Sequence, residues 1–180
     1  MRVLIVIDMQ KDFVDGALGS PEAQAIMSNV AAKVEQYSKM EDAVVIYTRD
    51  THDEDYMDTL EGQYLPIPHC IYGTPGWEIV PEVYVDNGYT DIVDKNSFGH
   101  HNIAGIVERS CINHFETWEI DSIEVCGLCT DICVISNVLI LKANYTDIPI
   151  IVDSTCCAGV TPEKHAAALE VMRSCQVEVR

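Results

Sequence analysis

The sequence predicts an α/β fold in which helices cover a mainly parallel sheet on both faces. The run of β-branched and leucine residues over Arg2–Ile7 is typical of a central strand that is buried on both faces. Similar short apolar runs alternate with longer segments whose apolar residues recur at helical spacing. The length of 180 residues suits one domain with a sizeable core. We therefore expect a single domain over residues 1–180, built as a three-layer αβα sandwich around six strands.

The composition excludes several classes of protein and partner. With 48% hydrophobic residues, the chain is too apolar to be disordered. No apolar run approaches the ~20 residues of a membrane-spanning helix, and the N-terminal run turns acidic at Asp8, too early for a signal peptide. The net charge of -18 argues against nucleic acid or an anionic membrane as a partner. We expect a cytoplasmic protein whose eight cysteines are reduced thiols.

The first half of the chain contains two predicted strands and one long loop. After the strand Arg2–Ile7, apolar residues at helical spacing predict a covering helix over Pro21–Met40. The run Ala43–Thr48 predicts the second strand. Residues 53–89 then show weak periodicity interrupted by prolines. A loop this long inside a compact domain is usually functional.

The second half of the chain continues the alternation of strands and helices. Its predicted strands are Asp91–Asp94, Ser122–Cys126, Ile148–Val152 and Gln176–Arg180. Its predicted helices are Ile103–Glu116, Asp131–Asn144 and Pro162–Ser174, the last with proline at its start.

A strand, a sharp turn and a helix follow one another in the middle of this half. The apolar run Ile123–Cys126 predicts the strand, and Gly127 interrupts it. Thr130 and Asp131 are favourable N-cap residues for the helix. Cys133 then falls in the first helical turn. Unpaired backbone N–H groups and the positive end of the helix dipole favour a thiolate there.

These residues alone leave three interpretations of the cysteines open. Cysteines near a strand end are often simply core residues, and this explains Cys133 as well as a nucleophilic role does. Cys126, Cys129 and Cys133 also have a C-x2-C-x3-C spacing, which is compatible with a metal site. Such sites usually take a fourth ligand from a second knuckle, and no such knuckle stands out in the sequence.

Charged residues follow three other predicted strands. Asp8 follows the first strand, Asp50 and His52 follow the second, and Lys95 follows the third. Ligands of open parallel sheets bind at the carboxyl ends of the strands, although a carboxylate there can also cap a turn and a lysine can be solvated. Together with His69 of the long loop, Asp50 and His52 offer one carboxylate and two imidazoles. This is a common set for a divalent metal with open coordination positions.

The segment Gly127–Val134 reads G-L-C-T-D-I-C-V. It resembles the G-x-x-T-D-x-C-V signature of the isochorismatase-like cysteine hydrolases, the superfamily that contains the nicotinamidases. The resemblance implies that Cys133 is the nucleophile and that the backbone amides of Cys129 and Cys133 form the oxyanion hole. It also implies a cis peptide bond between Leu128 and Cys129, with Leu128 in the wall of the substrate pocket.

Two further motifs complete the triad that this resemblance implies. The segment Asp8–Phe13 resembles the family's D-x-Q-x-D-F, whose first aspartate is the catalytic acid and base. Phe13 matches a position that often lines the pocket, and core packing explains it equally well. Lys95 begins a K-x-x-F element whose lysine completes the triad. The resemblance also implies the strand order 3-2-1-4-5-6, in which Asp8 and Cys133 face each other at the switch point of the sheet.

The long loop resembles the nicotinamidase branch of the superfamily. The segments Asp50-Thr51-His52, Pro68-His69-Cys70 and Gly73–Gly76 carry the resemblance, which implies one divalent metal held by Asp50, His52 and His69. Zinc is the expected ion, with manganese and iron as alternatives. Some members add a glutamate before the second histidine, and Glu61 is the candidate here. The metal would bind and orient the pyridine nitrogen of nicotinamide.

The predicted reaction is hydrolysis of nicotinamide, or of a close aromatic amide, to the acid and ammonia through a thioester. The chain departs from the family pattern at Cys129, where a small residue such as alanine is usual, and at Tyr64–Ile67, where a tryptophan is usual. The alternatives are therefore hydrolysis of another small amide, carbamoyl or ureido compound, vinyl ether hydrolysis of the isochorismatase type, and a non-enzymatic thiol or metal module. We expect a small-molecule amide substrate and a homo-oligomer.

Overall fold

Six parallel strands form one sheet in the computed structural model, which describes residues 1–180. The strand order is β3-β2-β1-β4-β5-β6, as predicted, and every neighbouring pair is parallel. The strands are β1 (Arg2–Ile7), β2 (Ala43–Asp50), β3 (Thr90–Lys95), β4 (Ser122–Leu128), β5 (Ile150–Ala158) and β6 (Glu178–Val179). Val3 to Ile7 are all buried, so both faces of β1 are covered, as its unbroken apolar run indicated.

Seven α-helices and several tighter turns connect the strands. The helices are α1 (Lys11–Val14), α2 (Pro21–Ala25), α3 (Met27–Ser38), α4 (Leu60–Tyr64), α5 (Ile103–Phe115), α6 (Ile135–Asn144) and α7 (Pro162–Ser174). Short 3-10 turns cover Tyr56–Asp58, Pro75–Trp77 and Pro81–Val83, and a π-helical turn covers Thr130–Val134. No helix combines the length and the apolar character that crossing a membrane would require.

Several element boundaries differ from the sequence-based expectation. The helix predicted over Pro21–Met40 is divided into α2 and α3 at Ile26, which is the C-cap of the first and the N-cap of the second. The Ser20 side chain caps the start of α2 by accepting a hydrogen bond from the Ala23 amide. The helix predicted from Asp131 begins with the π-helical turn, so α6 starts only at Ile135.

Strand β5 is longer than its apolar run. It continues to Ala158 because Gly127 and Leu128 of β4 pair with Cys157 and Ala158 beyond a bulge. The loop predicted over residues 53–89 contains α4 and the 3-10 turns, and α1 was not predicted.

The register brings the carboxyl ends of the central strands to one edge of the sheet. Ile7, the last residue of β1, pairs with Thr48 of β2 and with Gly127 of β4. Asp50 at the end of β2 pairs with Lys95 at the end of β3. The residues that follow or end these strands therefore meet at the switch point between β1 and β4, where ligands of such sheets bind.

Candidate active site

The three residues of the predicted triad lie together in the interior. Asp8 follows β1 with a left-handed backbone (φ 48), Lys95 ends β3, and Cys133 lies in the π-helical turn after β4. All three are buried, with 0%, 3% and 5% of their surfaces exposed. The Nζ of Lys95 lies 2.6 Å from Oδ2 of Asp8 and 3.7 Å from Sγ of Cys133. Positive φ is unfavourable for residues other than glycine, and residues that adopt it are concentrated at functional sites.

A buried ion pair dominates the electrostatics of this triad. Burial raises the pKa of Asp8, and the charge of Asp50 adds to the rise, while the Lys95 ammonium opposes it. Burial alone would lower the pKa of Lys95, but Asp8, Cys133 and Asp50 together hold that pKa above its usual range. The Thr48 hydroxyl donates to Oδ1 of Asp8 at 2.6 Å. Oδ2 faces the Lys95 ammonium and has no further hydrogen-bond partner.

The surroundings of Cys133 act on its thiol pKa in the direction opposite to the sequence-based expectation. Burial, and then the Asp8 carboxylate, raise the pKa of the Cys133 thiol well above its usual range, and the nearby Lys95 only partly opposes this. This direction is opposite to the one expected for a thiol at a helix terminus. Desolvation outweighs the helix end because the sulfur is enclosed and already faces a carboxylate. A thiol in this environment would need a nearby base to lose its proton.

The turn after β4 holds Cys133, the predicted nucleophile, in a way that the sequence indicated only in part. The peptide bond between Leu128 and Cys129 is cis, as the family resemblance implied. Thr130 and Asp131 do not cap a helix, contrary to the expectation from their residue types. The Thr130 hydroxyl lies 2.8 Å from Nδ1 of His165, and Asp131 Oδ1 accepts from the Val160 amide. Both side chains thus tie the turn that carries Cys133 to the start of α7.

Gly127 is required by the close approach of β1. Its φ is 120°, and an added Cβ would lie 2.1 Å from the Ile7 carbonyl oxygen. Any side chain there would push β4 away from β1 and would separate Cys133 from Asp8.

Four candidate metal ligands form a compact cluster next to the triad. Asp50, His52, Glu61 and His69 can each point one ligand atom into a group whose members all lie within 4.8 Å of one another. Asp50 Oδ2 lies 3.1 Å from His52 Nε2 and 3.7 Å from His69 Nε2. Glu61 Oε1 lies 3.8 Å from His52 Nε2 and 4.0 Å from His69 Nε2. Glu61 thus lies beside the three residues that the family resemblance implies as metal ligands.

The chemistry of this cluster fits a divalent cation. Nδ1 of His69 lies 2.8 Å from the Ile67 carbonyl oxygen, so this nitrogen carries the proton and Nε2 is left free for a metal. Burial alone would raise the pKa of Asp50, but His52, His69 and Lys95 hold it well below its usual range. Burial and the charge of Asp50 raise the pKa of Glu61. Two carboxylates and two imidazoles are a typical donor set for zinc, manganese or iron.

A mostly apolar cavity of ≈ 320 Å³ opens onto both groups. Cys133 and Leu128 line it from the β4 side, and Asp50, Glu61 and His69 reach it from the metal cluster. Phe13 lies in its wall, with its ring centroid 5.5 Å from that of His69.

Sequence reasoning missed several other residues of this cavity. Leu65 lines it within the segment where the family usually has tryptophan, and Phe98 lines it from the loop after Lys95. The K-x-x-F motif contains Phe98 and was the available signal. The other residues that line the cavity belong to no recognisable motif, and only the three-dimensional fold places them in its wall.

The remaining cysteines do not form a metal site. Cys126 is fully buried within β4, and Cys129 lies in the cavity wall, where burial raises its pKa to about 12. The group of possible metal ligands in the structure contains no cysteine. The C-x2-C-x3-C spacing therefore reflects one buried strand residue and two residues of the turn after β4, and the thiol-module alternative has no structural support.

Comparison with known proteins identifies the family. The family model described as the isochorismatase domain matches residues 2–180. The chain belongs to the isochorismatase family. Among curated relatives, the nicotinamidase/pyrazinamidase of Mycobacterium tuberculosis is 28% identical over 197 residues, covering 99% of this chain and 98% of the relative.

Solved structures of a pyrazinamidase and a nicotinamidase/pyrazinamidase share the fold of this chain along nearly its whole length. The pyrazinamidase of Pyrococcus horikoshii, solved in complex with zinc, has a TM-score of 0.78 and 26% identity, covering 99% of this chain and 98% of that one. A nicotinamidase/pyrazinamidase from Bacillus subtilis has a TM-score of 0.79 and 26% identity with the same coverage. These matches confirm the predicted family and fold. The names of the homologues also confirm the predicted class of enzyme, a hydrolase that acts on non-peptide C–N bonds.

Proposed function

We propose that this protein is a metal-assisted cysteine amidohydrolase that converts nicotinamide, or a close aromatic amide, to the acid and ammonia. The observation that carries the proposal is the position of Lys95. Its Nζ lies 2.6 Å from Oδ2 of Asp8 and 3.5 Å from Oδ1 of Asp50. This one ammonium joins Asp8, the proposed base, to the metal cluster, and Cys133 and the metal cluster border the same cavity.

The first half of the proposed reaction is acyl transfer to sulfur. Oδ2 of Asp8 takes the proton from the Cys133 thiol while Sγ attacks the amide carbon, so a C–S bond forms. The backbone amides of Cys129 and Cys133 donate to the oxyanion. Asp8 then returns the proton to the amide nitrogen, the C–N bond breaks, and ammonia leaves. Lys95 stays protonated and keeps the Asp8 carboxylate in place.

The second half of the proposed reaction is hydrolysis of the thioester. Asp8 removes a proton from a water molecule, whose oxygen attacks the thioester carbon. The C–S bond breaks, and the proton held by Asp8 returns to the Cys133 sulfur. The product is the carboxylic acid, and the enzyme regains its starting protonation state.

The proposed metal ligands are Asp50, His52 and His69, with Glu61 as the fourth. When bound, the metal supplies a Lewis-acidic position for the ring nitrogen of the substrate. Phe13 and Leu128 contribute apolar wall to the cavity that would hold the rest of the ring. We assign zinc as the ion because two imidazoles with carboxylates suit it, and the related Pyrococcus pyrazinamidase was solved in complex with zinc.

A neutral amide also suits the charge of this chain. The net charge of -18 imposes no repulsion on an uncharged substrate and favours departure of an anionic product. We further infer that the enzyme acts in the cytoplasm as a homo-oligomer, without nucleic acid or membrane as a partner. Light scattering of the purified protein tests the oligomeric state.

A substrate panel tests the proposed function. Zinc-loaded enzyme is assayed for ammonia release from nicotinamide, pyrazinamide, aliphatic amides and ureido compounds, with the Cys133→Ala variant as the control. We expect turnover of the aromatic amides and none in the variant. If only an aliphatic or ureido compound is hydrolysed, the nicotinamidase assignment is wrong while the triad stands. If nothing in the panel is hydrolysed, the amidase class itself is wrong.

A further inference from the structure

The side chain of Gln10 continues the β1–β2 ladder beyond the point where β1 ends. The two strands pair as far as Ile7 and Thr48, after which the chain turns away at Asp8. Asp50 lies two residues further along β2 and therefore has no β1 backbone beside it. Gln10, which is fully buried, takes that place.

The amide of Gln10 binds both backbone groups of Asp50. Its Oε1 accepts from the Asp50 amide at 2.7 Å, and its Nε2 donates to the Asp50 carbonyl at 2.8 Å. The second Nε2 hydrogen goes to the Trp77 carbonyl at 2.9 Å. Both donors are used, and a rotated amide would place oxygen against two carbonyls, so the orientation is fixed. Only a glutamine or a closely similar amide satisfies this pattern.

This contact sets the position of the Asp50 carboxylate. A metal ligand must be held to within a few tenths of an ångström, and the outer groups that hold the ligands are part of a metal site. Here the outer group binds the backbone of the ligand and leaves both carboxylate oxygens available. Oδ2 can then face the two histidines while Oδ1 faces Lys95.

Asp12 makes the corresponding contact for the loop that carries His69. Its Oδ2 accepts from the amide of Cys70, the residue after His69, at 2.8 Å. Cys70 has a left-handed backbone (φ 47), which needs such support. A Cβ on Gly76 would lie 2.2 Å from Oδ2 of Asp12, so the loop packs closely around this carboxylate.

We propose that Gln10 and Asp12 are positioning residues that hold Asp50 and His69 in the geometry required for metal binding. The inference rests on the proposed function, since it takes the cluster of Asp50 and His69 to be a metal site. In the segment after β1, Asp8 would then belong to the triad, while Gln10 and Asp12 would support the metal site.

The test measures zinc binding directly, by titration of chelator-treated protein with Zn²⁺ against a competing indicator. We expect Gln10→Glu, Gln10→Met and Asp12→Ala each to bind zinc ~10–100-fold more weakly than the parent, the usual effect of losing an outer-shell partner. Asp12→Asn keeps an acceptor oxygen for the Cys70 amide and should stay within a few-fold of the parent. Hydrolysis by the weakened variants should return at saturating zinc.

A matched control separates positioning from general loss of stability. Tyr37→Phe removes another buried hydrogen bond, the 2.7 Å contact with Glu124, at a place that takes no part in the metal cluster. Its zinc affinity should equal that of the parent. Equal loss of affinity in this control would overturn the proposal. So would parent-like zinc binding in the Gln10 and Asp12→Ala variants, or failure of those variants to fold while Tyr37→Phe folds.

The same titration distinguishes this inference from the function on which it rests. A parent protein that binds no zinc, manganese or iron would refute the metal assignment and the inference together. A parent that binds zinc with unchanged affinity in the positioning variants would refute the inference alone.

Discussion

Replacement of Lys95 by methionine tests the buried ion pair at the centre of the site. Lys95→Met keeps most of the side-chain volume, so the main loss is the charge. The Lys95 and Asp8 side chains are both 0% exposed, and the carboxylate would be left buried without its partner. Breaking a buried pair in this way costs about 3–5 kcal/mol of folding free energy. A domain of this length loses ~2–4 °C of Tm per kcal/mol, so Tm should fall by about 6–20 °C.

The assay is thermal unfolding of the chelator-treated protein, with Lys39→Met as the matched control. Lys39, the residue just after α3, pairs with Glu35 of that helix, and the two side chains are 70% and 63% exposed. Such an i,i+4 pair contributes only ~0.3–0.5 kcal/mol, so the control should lose about 1–2 °C. The double variant Asp8→Asn/Lys95→Met removes both charges and should recover part of the loss, with a coupling of ~0.5–3 kcal/mol. Equal Tm loss in Lys95→Met and the control, or strictly additive single variants, would refute this reasoning.

Three further predictions concern the nucleophile, the metal and pH. Cys133→Ala should abolish hydrolysis while Cys129→Ala retains most of it, measured as ammonia release; full activity in Cys133→Ala would disprove the mechanism. Elemental analysis should find about one divalent ion per chain, and His52→Ala and His69→Ala should each lose it; retention in both variants would refute the site. Because burial and Asp8 raise the pKa of Cys133, alkylation of this thiol by iodoacetamide should accelerate as pH rises above neutrality. Asp8→Asn should move that profile to lower pH, and an unchanged profile would contradict the assigned electrostatics.

Most of the fold followed from local patterns because each pattern reflects burial along one element. The apolar run of β1 has one interpretation, a strand covered on both faces, and the structure shows it. The division between α2 and α3 at Ile26 leaves no comparable signal, since the apolar spacing continues through it. The extension of β5 to Ala158 depends on pairing with β4 beyond a bulge, which is a contact between distant segments.

The candidate site likewise has features that the sequence predicts and features that depend on contacts between distant segments. Motif resemblance selected Asp8, Lys95, Cys133 and three candidate metal ligands, and the structure brings all of them to one edge of the sheet. The raised pKa of Cys133 was not predictable from its helix-terminal position. It follows from burial of the thiol and from the carboxylate of Asp8, which lies far away in sequence.

The roles inferred for Gln10 and Asp12 were equally inaccessible from the sequence. Both contacts join the segment after β1 to backbone groups about 40 and 58 residues away. No local pattern reports such a contact, whereas the residue types alone are compatible with a surface helix. Tertiary placement, and not composition, distinguishes these two polar side chains from exposed ones.

Rapid-quench peptide mapping tests the central claim, that Cys133 forms a thioester with the acyl group of an amide substrate. Zinc-loaded enzyme is mixed with nicotinamide, quenched in acid during steady-state turnover, digested and analysed by mass spectrometry. We predict the nicotinoyl mass on the peptide that contains Cys133, and its absence from the Cys133→Ala variant. Turnover with no acyl adduct on any cysteine, or with the adduct on Cys129 in place of Cys133, would contradict the account.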